Sequence, residues 1–175
     1  MERNKAQKEL ISTLHVLDGF IEVQIDALRI YRQLYYHADE PGINNILSWL
    51  YDEEEMRLRR ASVRRRRILE RNPELVENGL YKPRQETGVS KMGYAEGLLN
   101  GGVLEILRYA INNEVRAMQF FRRKAHLARE PLYRMMFAAA AADQETQVKY
   151  YAEKRELIMQ KHIEGATLLA SRVAG

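Results

Sequence analysis

The sequence repeats itself along its length at one constant offset of 90 residues. Pro41 and Pro131 stand at equivalent points of the two halves. On both sides of each proline, apolar residues recur at steps of three and four, which predicts amphipathic α-helices. Proline opposes helix continuation but is well tolerated in a first helical turn. Each half is therefore predicted to be a helix hairpin, and two such hairpins make a four-helix bundle with pseudo-twofold symmetry.

Matches at this offset continue without a gap through both proline breaks. They include Gln24 with Glu114, Ile21 with Ile111, Ala27 with Ala117, Arg32 with Arg122, Ala38 with Ala128 and Glu55 with Glu145. Chance similarity between two amphipathic helices does not predict one register through both breaks. We therefore treat the halves as copies of one unit.

The predicted fold is all-α, with one domain over 1–165 and a C-terminal tail over 166–175. The first repeat covers about 6–71 and the second about 96–162, and Gly165 is expected to end the last helix. The connection, 72–95, is longer than a tight helix–helix turn. It is expected to cross the bundle from one end to the other.

Composition excludes several classes of protein. Hydrophobic residues make up 46% of the chain and charged residues 30%, with only 4 prolines, which favours a helical globular protein over a disordered one. There are no cysteines, which excludes disulfides, thiolate zinc sites and iron–sulfur clusters. No apolar stretch is long enough to span a bilayer, and the N-terminus does not resemble a signal peptide. We expect a cytoplasmic protein without a membrane partner.

Each long helix carries one polar residue within its apolar stripe. These residues are Gln24, Glu55, Glu114 and Glu145. A carboxylate on the inner face of a helix is costly unless a cation, a proton or a donor compensates it. Matched polar positions at mid-helix predict one shared inner locus, which is the usual place for a metal site in a helix bundle.

Several segments resemble the ferritin-like superfamily, and within it the rubrerythrin-related branch. They are Ala27-x-x-x-Tyr31, Glu114-x-x-Ala117-x-x-x-Phe121-x-x-x-Ala125 and the acidic runs that end in Glu55 and Glu145. The resemblance extends over about Leu10 to Met159. It implies that each hairpin supplies one Glu from its first helix and a Glu-x-x-His from its second, and that these six side chains hold two irons.

Carried over residue by residue, the resemblance gives an incomplete iron site. The first-helix positions are Gln24 and Glu114, and the second-helix motifs become Glu55-x-x-Leu58 and Glu145-x-x-Val148. Three carboxylates remain and both imidazoles are missing. The small cysteine-ligated iron module common in the family is also excluded. An iron pair is therefore not expected, and no resident cofactor is predicted.

Three carboxylates that converge in a low-dielectric core repel one another unless something compensates them. One divalent cation such as Mg, Ca or Mn could bind through oxygens alone. Alternatively, one or more carboxylates could be protonated and share hydrogen bonds with Gln24 or Tyr31. A third possibility is a core that stays hydrated there. The sequence leaves these alternatives open, with Gln24, Glu55, Glu114 and Glu145 as the candidate residues.

Arginines form a second feature of the sequence. They step by three and four along one predicted helix face, at Arg57, Arg60, Arg64, Arg67 and Arg71. Such a stripe is a candidate anion site for nucleic-acid phosphates or an acidic protein partner. The alternative is a solvated face neutralised by nearby glutamates. No aromatic residues that could stack on bases interleave with these arginines.

Three functional hypotheses follow from these features. The leading one is a rubrerythrin-related protein that lacks an intact di-iron site and acts non-catalytically, as a scaffold or interaction protein and as a homodimer. The second is a metal-binding oxidoreductase or iron-handling protein with an altered carboxylate site. The third is an anion or nucleic-acid binder that uses the arginine stripe.

Overall fold

The computed structural model describes the backbone of residues 2–82 and 95–173. All regular elements in these ranges are α-helices, so the predicted all-α class is confirmed. The helices are α1 (Glu2–His37), α2 (Pro41–Arg71), α3 (Glu74–Glu77), α4 (Ala95–Asn100), α5 (Gly102–Leu127) and α6 (Pro131–Val173). Within the same two ranges, none of the helices has the length and apolar character needed to cross a membrane.

Four long helices pack as two hairpins, α1 with α2 and α5 with α6, each joined by a short loop. On α1, Gly19 lies against Phe121, while Tyr31 contacts Tyr109 edge to face. Residue numbers therefore rise along α1 as they fall along α5, so these two helices are antiparallel. Since α2 is also antiparallel to α1, α2 and α5 run in the same direction. The end of α2 and the start of α5 consequently lie at opposite ends of the bundle.

The interior of the bundle contains a polar layer between two apolar clusters, and a third apolar cluster, made of Leu14, Leu75 and Tyr81, lies where α3 and the start of the connection meet α1. Tyr31, Leu47 and Ile106 belong to the first cluster, in which each is at most 1% exposed. Phe121 and Phe137 belong to the second cluster, near the loop between α5 and α6. Buried polar side chains lie between the two clusters on all four long helices. This layer is where the structure concentrates its internal charge.

Two predictions about chain boundaries need correction. The last helix continues to Val173 instead of ending at Gly165, so no separate tail begins at residue 166. One glycine costs a helix about 1 kcal/mol relative to alanine. This cost is small compared with the stabilisation from the other residues of a 43-residue helix, so the helix continues past Gly165. The predicted connection, 72–95, begins with the short helix α3. Its central part, residues 83–94, lies outside the described residues.

Candidate functional site

The side chain at the centre of the polar layer is a cation, Arg57. Its guanidinium donates hydrogen bonds at 3.1 Å to Glu54 and at 3.1 Å to Glu114. A third hydrogen bond, 2.8 Å long, goes to the side-chain oxygen of Gln144. All three partners are fully buried. One arginine from α2 therefore links α2, α5 and α6 inside the bundle.

Two tyrosines and a glutamine complete the layer. Tyr151 donates a hydrogen bond of 2.8 Å to Glu54. Tyr31 lies close enough to Glu54 and Glu114 for their charges to act on it. Gln24 lies two turns before Tyr31 on the same face of α1, and it is 1% exposed. The amide of Gln24, the hydroxyl of Tyr31 and the second oxygen of Glu114 have no hydrogen-bond partner within the described part of the chain.

The protonation of this layer depends on burial and on opposing charges. Burial and the neighbouring charge of Glu114 raise the pKa of Glu54 to about 7, although Arg57 and the hydrogen bond from Tyr151 act in the opposite direction. Burial lowers the pKa of Arg57, but Glu114 and Glu54 outweigh it and raise that pKa overall. Burial also raises the pKa of Tyr31 well above its usual value. The guanidinium therefore stays charged while Glu54 titrates near neutral pH.

The structure buries only two of the four predicted site residues in this layer. Gln24 and Glu114 are at most 1% exposed and face the interior as predicted. The inward placement of Glu55 was wrong, because this residue is exposed on the outer side of α2. Glu145 is also displaced from the layer, with its side chain 42% exposed and hydrogen-bonded to Arg122 at the surface.

The error is a shift of one residue in both second helices. Glu54 and Gln144 occupy the buried positions, and they too are 90 residues apart, so the repeat alone could not distinguish the two registers. Successive residues on a helix differ by about 100° in direction. Leu47, Leu50 and Glu54 are separated by steps of three and four. That spacing was the available indication that Glu54, and not Glu55, continues the inner face.

Arg57 does not belong to the exposed arginine stripe, where the sequence placed it. Its side chain is 19% exposed and faces the polar layer. Sequence reasoning missed it as an interior residue because an unpaired arginine is rarely buried. The other arginines of the predicted stripe are exposed. They line a groove of about 920 Å³ beside α2 that also includes Leu10 of α1, and its arginines are Arg59, Arg60, Arg64, Arg67 and Arg71.

The residues of the polar layer do not fit a pair of irons. The described part of the chain contains no group of three or more histidines and carboxylates placed to hold a metal ion. Both oxygens of Glu54, one oxygen of Glu114 and the side-chain oxygen of Gln144 already accept hydrogen bonds from Arg57 or Tyr151. No imidazole from the described part of the chain belongs to the layer. A fixed positive charge in its centre repels any second cation.

A second polar cluster joins the start of the connection to α1. The hydroxyl of Tyr81 donates a hydrogen bond of 2.6 Å to Asp18, and Arg65 donates one of 2.8 Å to the same carboxylate. Burial and the hydrogen bond to Asp18 raise the pKa of Tyr81 to about 12. The cluster anchors the described part of the connection against the bundle. Arg65 is therefore a second arginine of α2 with an internal structural partner.

Comparison of the chain with protein-family models, with curated proteins and with solved structures found no match in any of the three. Conclusions about function therefore depend on the geometry of the polar layer and of the surface.

Proposed function

We propose that this chain is a ferritin-like, rubrerythrin-related protein in which an arginine replaces the di-iron centre, and that it acts non-catalytically as a scaffold or interaction protein. The single observation that carries the proposal is the position of the Arg57 guanidinium between Glu54 and Glu114. A positive charge that is covalently part of the chain compensates one of these two carboxylates permanently, and a proton can neutralise Glu54, whose pKa is raised to about 7. The layer then needs neither an exchangeable metal nor a redox reaction to remain stable.

The connectivity of the helices supports the ferritin-like part of the proposal. Two antiparallel hairpins joined by one long crossover are the arrangement of ferritin-like bundles. With the register corrected by one residue, the four carboxylate positions of the family correspond to Gln24, Glu54, Glu114 and Gln144. The two histidine positions correspond to Arg57 and Gln147. Two of the four carboxylates have become amides, and one imidazole has become a guanidinium.

Metal content of the purified chain tests the proposal directly. Protein prepared without chelators and then incubated with Fe(II) or Mn(II) under anaerobic conditions is passed through a desalting column and analysed for bound metal. We expect far less than one metal ion per chain, since the guanidinium occupies the site and repels cations. About two irons per chain, the stoichiometry of a complete site, would contradict the proposal.

A designed variant tests the correspondence of residues. The four substitutions Arg57→His, Gln147→His, Gln24→Glu and Gln144→Glu restore the ligand set that the family uses. This variant is expected to bind iron and to show a higher melting temperature with Fe(II) or Zn(II) than without, because metal binding stabilises the folded state. The matched control, Leu58→His with Val148→His, adds two imidazoles in the register that the sequence suggested, and it should bind no additional iron. Iron binding by the control alone would show that the correspondence is wrong.

A further inference from the structure

The exposed arginines of α2 form one wall of a groove whose remaining lining is partly apolar. The groove has a volume of about 920 Å³ and runs beside the C-terminal half of α2. Its lining is made of Leu10, Met56, Arg59, Arg60, Val63, Arg64, Arg67, Ile68, Arg71 and Asn72. Met56 and Val63 are 42% and 38% exposed. The groove therefore combines positive charge with uncovered apolar area.

The arginines of the groove differ from the inward-facing arginines of the same helix. Arg57 and Arg65 form ion pairs with buried or nearly buried carboxylates. Within the described part of the chain, none of the five groove arginines forms an ion pair with an acidic residue. The segment 57–71 contains eight arginines and one acidic residue, Glu70. Within the described residues, the groove arginines are thus not held in close ion pairs, and their guanidinium groups are available to an acidic ligand.

We infer that this arginine groove binds an acidic amphipathic helix of a protein partner. The inference rests on the proposed non-catalytic function and names the surface through which the chain would act. Arg60 and Arg71 are 11 residues apart on α2, a span of about 17 Å. Such a span engages an extended anion and not one small headgroup. Met56 and Val63 are two helical turns apart, which matches apolar residues repeated every seven positions on a partner helix.

Other occupants fit the groove less well. A nucleic-acid backbone would satisfy the arginines but would leave Met56 and Val63 uncovered, and none of the described residues that line the groove is an aromatic that could stack on bases. A second copy of this chain, packed symmetrically through the same surface, would bring arginines against arginines. An acidic helix with one apolar face complements both the charge and the apolar lining. It also gains favourable electrostatic steering during association.

Fluorescence anisotropy with a synthetic probe tests the inference on the full chain. The probe is a labelled helical peptide of about 20 residues with leucines on one face and glutamates elsewhere. A scrambled peptide of the same composition, a labelled DNA duplex and vesicles of anionic phospholipid serve as competing probes. We expect the ordered peptide to bind more tightly than each of the other three, and to bind more weakly as salt rises from about 50 to 300 mM. Equal binding of the scrambled peptide, or tighter binding of the duplex or the vesicles, would overturn the inference.

Charge-matched variants locate the binding surface. The groove variant carries Arg60→Gln, Arg64→Gln and Arg67→Gln, and the control carries Arg108→Gln, Arg116→Gln and Arg123→Gln on the exposed face of α5. Each exposed ion pair contributes a factor of about two to three in affinity. The groove variant is therefore expected to bind the peptide about tenfold more weakly, and the control to lose no more than about twofold. Equal losses in both variants would overturn the inference.

The substitution Val63→Gln tests the contribution of the apolar lining to binding, and it leaves the charge of the groove unchanged. It should weaken binding of the ordered peptide and leave the weak attraction of the scrambled peptide unchanged, because only the ordered peptide presents an apolar face. An unchanged affinity for the ordered peptide would contradict an amphipathic partner.

Metal analysis of the same preparation separates the groove inference from the proposed function. Metal-free protein that fails to bind the peptide refutes the groove inference alone, whereas bound iron refutes the proposed function.

Discussion

Replacing Arg57 by methionine removes the central cation of the bundle and keeps most of the length of its side chain. The guanidinium is the donor for three side chains that are each fully buried. Removal of one partner from a buried ion pair leaves an uncompensated charge and costs about 3–5 kcal/mol. Because two carboxylates lose the same cation, we expect Arg57→Met to lower the free energy of unfolding by an amount in that range at pH 8.

Chemical unfolding followed by circular dichroism and by the fluorescence of Trp49 measures this loss. The loss should be smaller by at least about 1 kcal/mol at pH 5.5, since the Glu54 carboxyl, whose pKa is raised to about 7, takes up a proton in the folded state and loses its charge. The matched control, Arg60→Met, changes an exposed arginine of the same helix. It should alter stability by no more than about 0.5 kcal/mol.

A combined variant separates lost charge compensation from lost packing. Adding Glu54→Gln and Glu114→Gln to Arg57→Met removes both buried negative charges, and with them the uncompensated charge that makes a broken buried ion pair costly. Most of the lost stability should therefore return. The reasoning would be refuted by a loss below about 1 kcal/mol for Arg57→Met at pH 8, by equal losses at both pH values, or by a combined variant as unstable as the single one.

Two further predictions concern the buried polar residues of the native chain. Because the pKa of Glu54 is raised to about 7, the folded state binds more protons than the unfolded state between about pH 4.5 and 7. Stability should therefore fall by up to about 3 kcal/mol as pH rises through this window, and Glu54→Gln should flatten the profile measured by denaturant unfolding. Tyr81→Phe, which removes the 2.6 Å hydrogen bond to Asp18, should cost about 1–2 kcal/mol by the same assay.

The polar layer explains how a buried cation can set the alignment of the bundle. Arg57 satisfies side chains from α5 and α6 only when these helices stand at one axial position relative to α2. A displacement by one turn would leave Glu114 and Gln144 buried without this donor, and each unsatisfied group costs about 1–3 kcal/mol. Whether buried ionic groups serve specificity varies among proteins. If packing alone aligns the helices, the variant that combines Arg57→Met, Glu54→Gln and Glu114→Gln should still unfold in one cooperative transition.

The four long helices, and the points at which α2 and α6 begin, were predictable from the chain. Helix periodicity and proline positions predicted that α2 and α6 would begin close to Pro41 and Pro131, and both helices begin at those residues. These features are local, because proline and the three-to-four spacing act on neighbouring turns. The end of α6 was not predictable from Gly165, because its flanking residues favour helix strongly enough to continue past one glycine.

The sequence by itself determined that four long amphipathic helices would bury polar residues at mid-length, and Gln24 and Glu114 were identified correctly. The spacing of Leu47, Leu50 and Glu54 favoured Glu54, but the tertiary structure decided that Glu54 faces inward and Glu55 outward. In an acidic run, neighbouring residues differ by about 100° in direction, and a broad apolar stripe tolerates either choice. The packing of α5 and α6 against α2 resolves that choice. The same packing turns Arg57 from a surface charge into the central cation, since Glu114, one of the two carboxylates that compensate it, comes from α5.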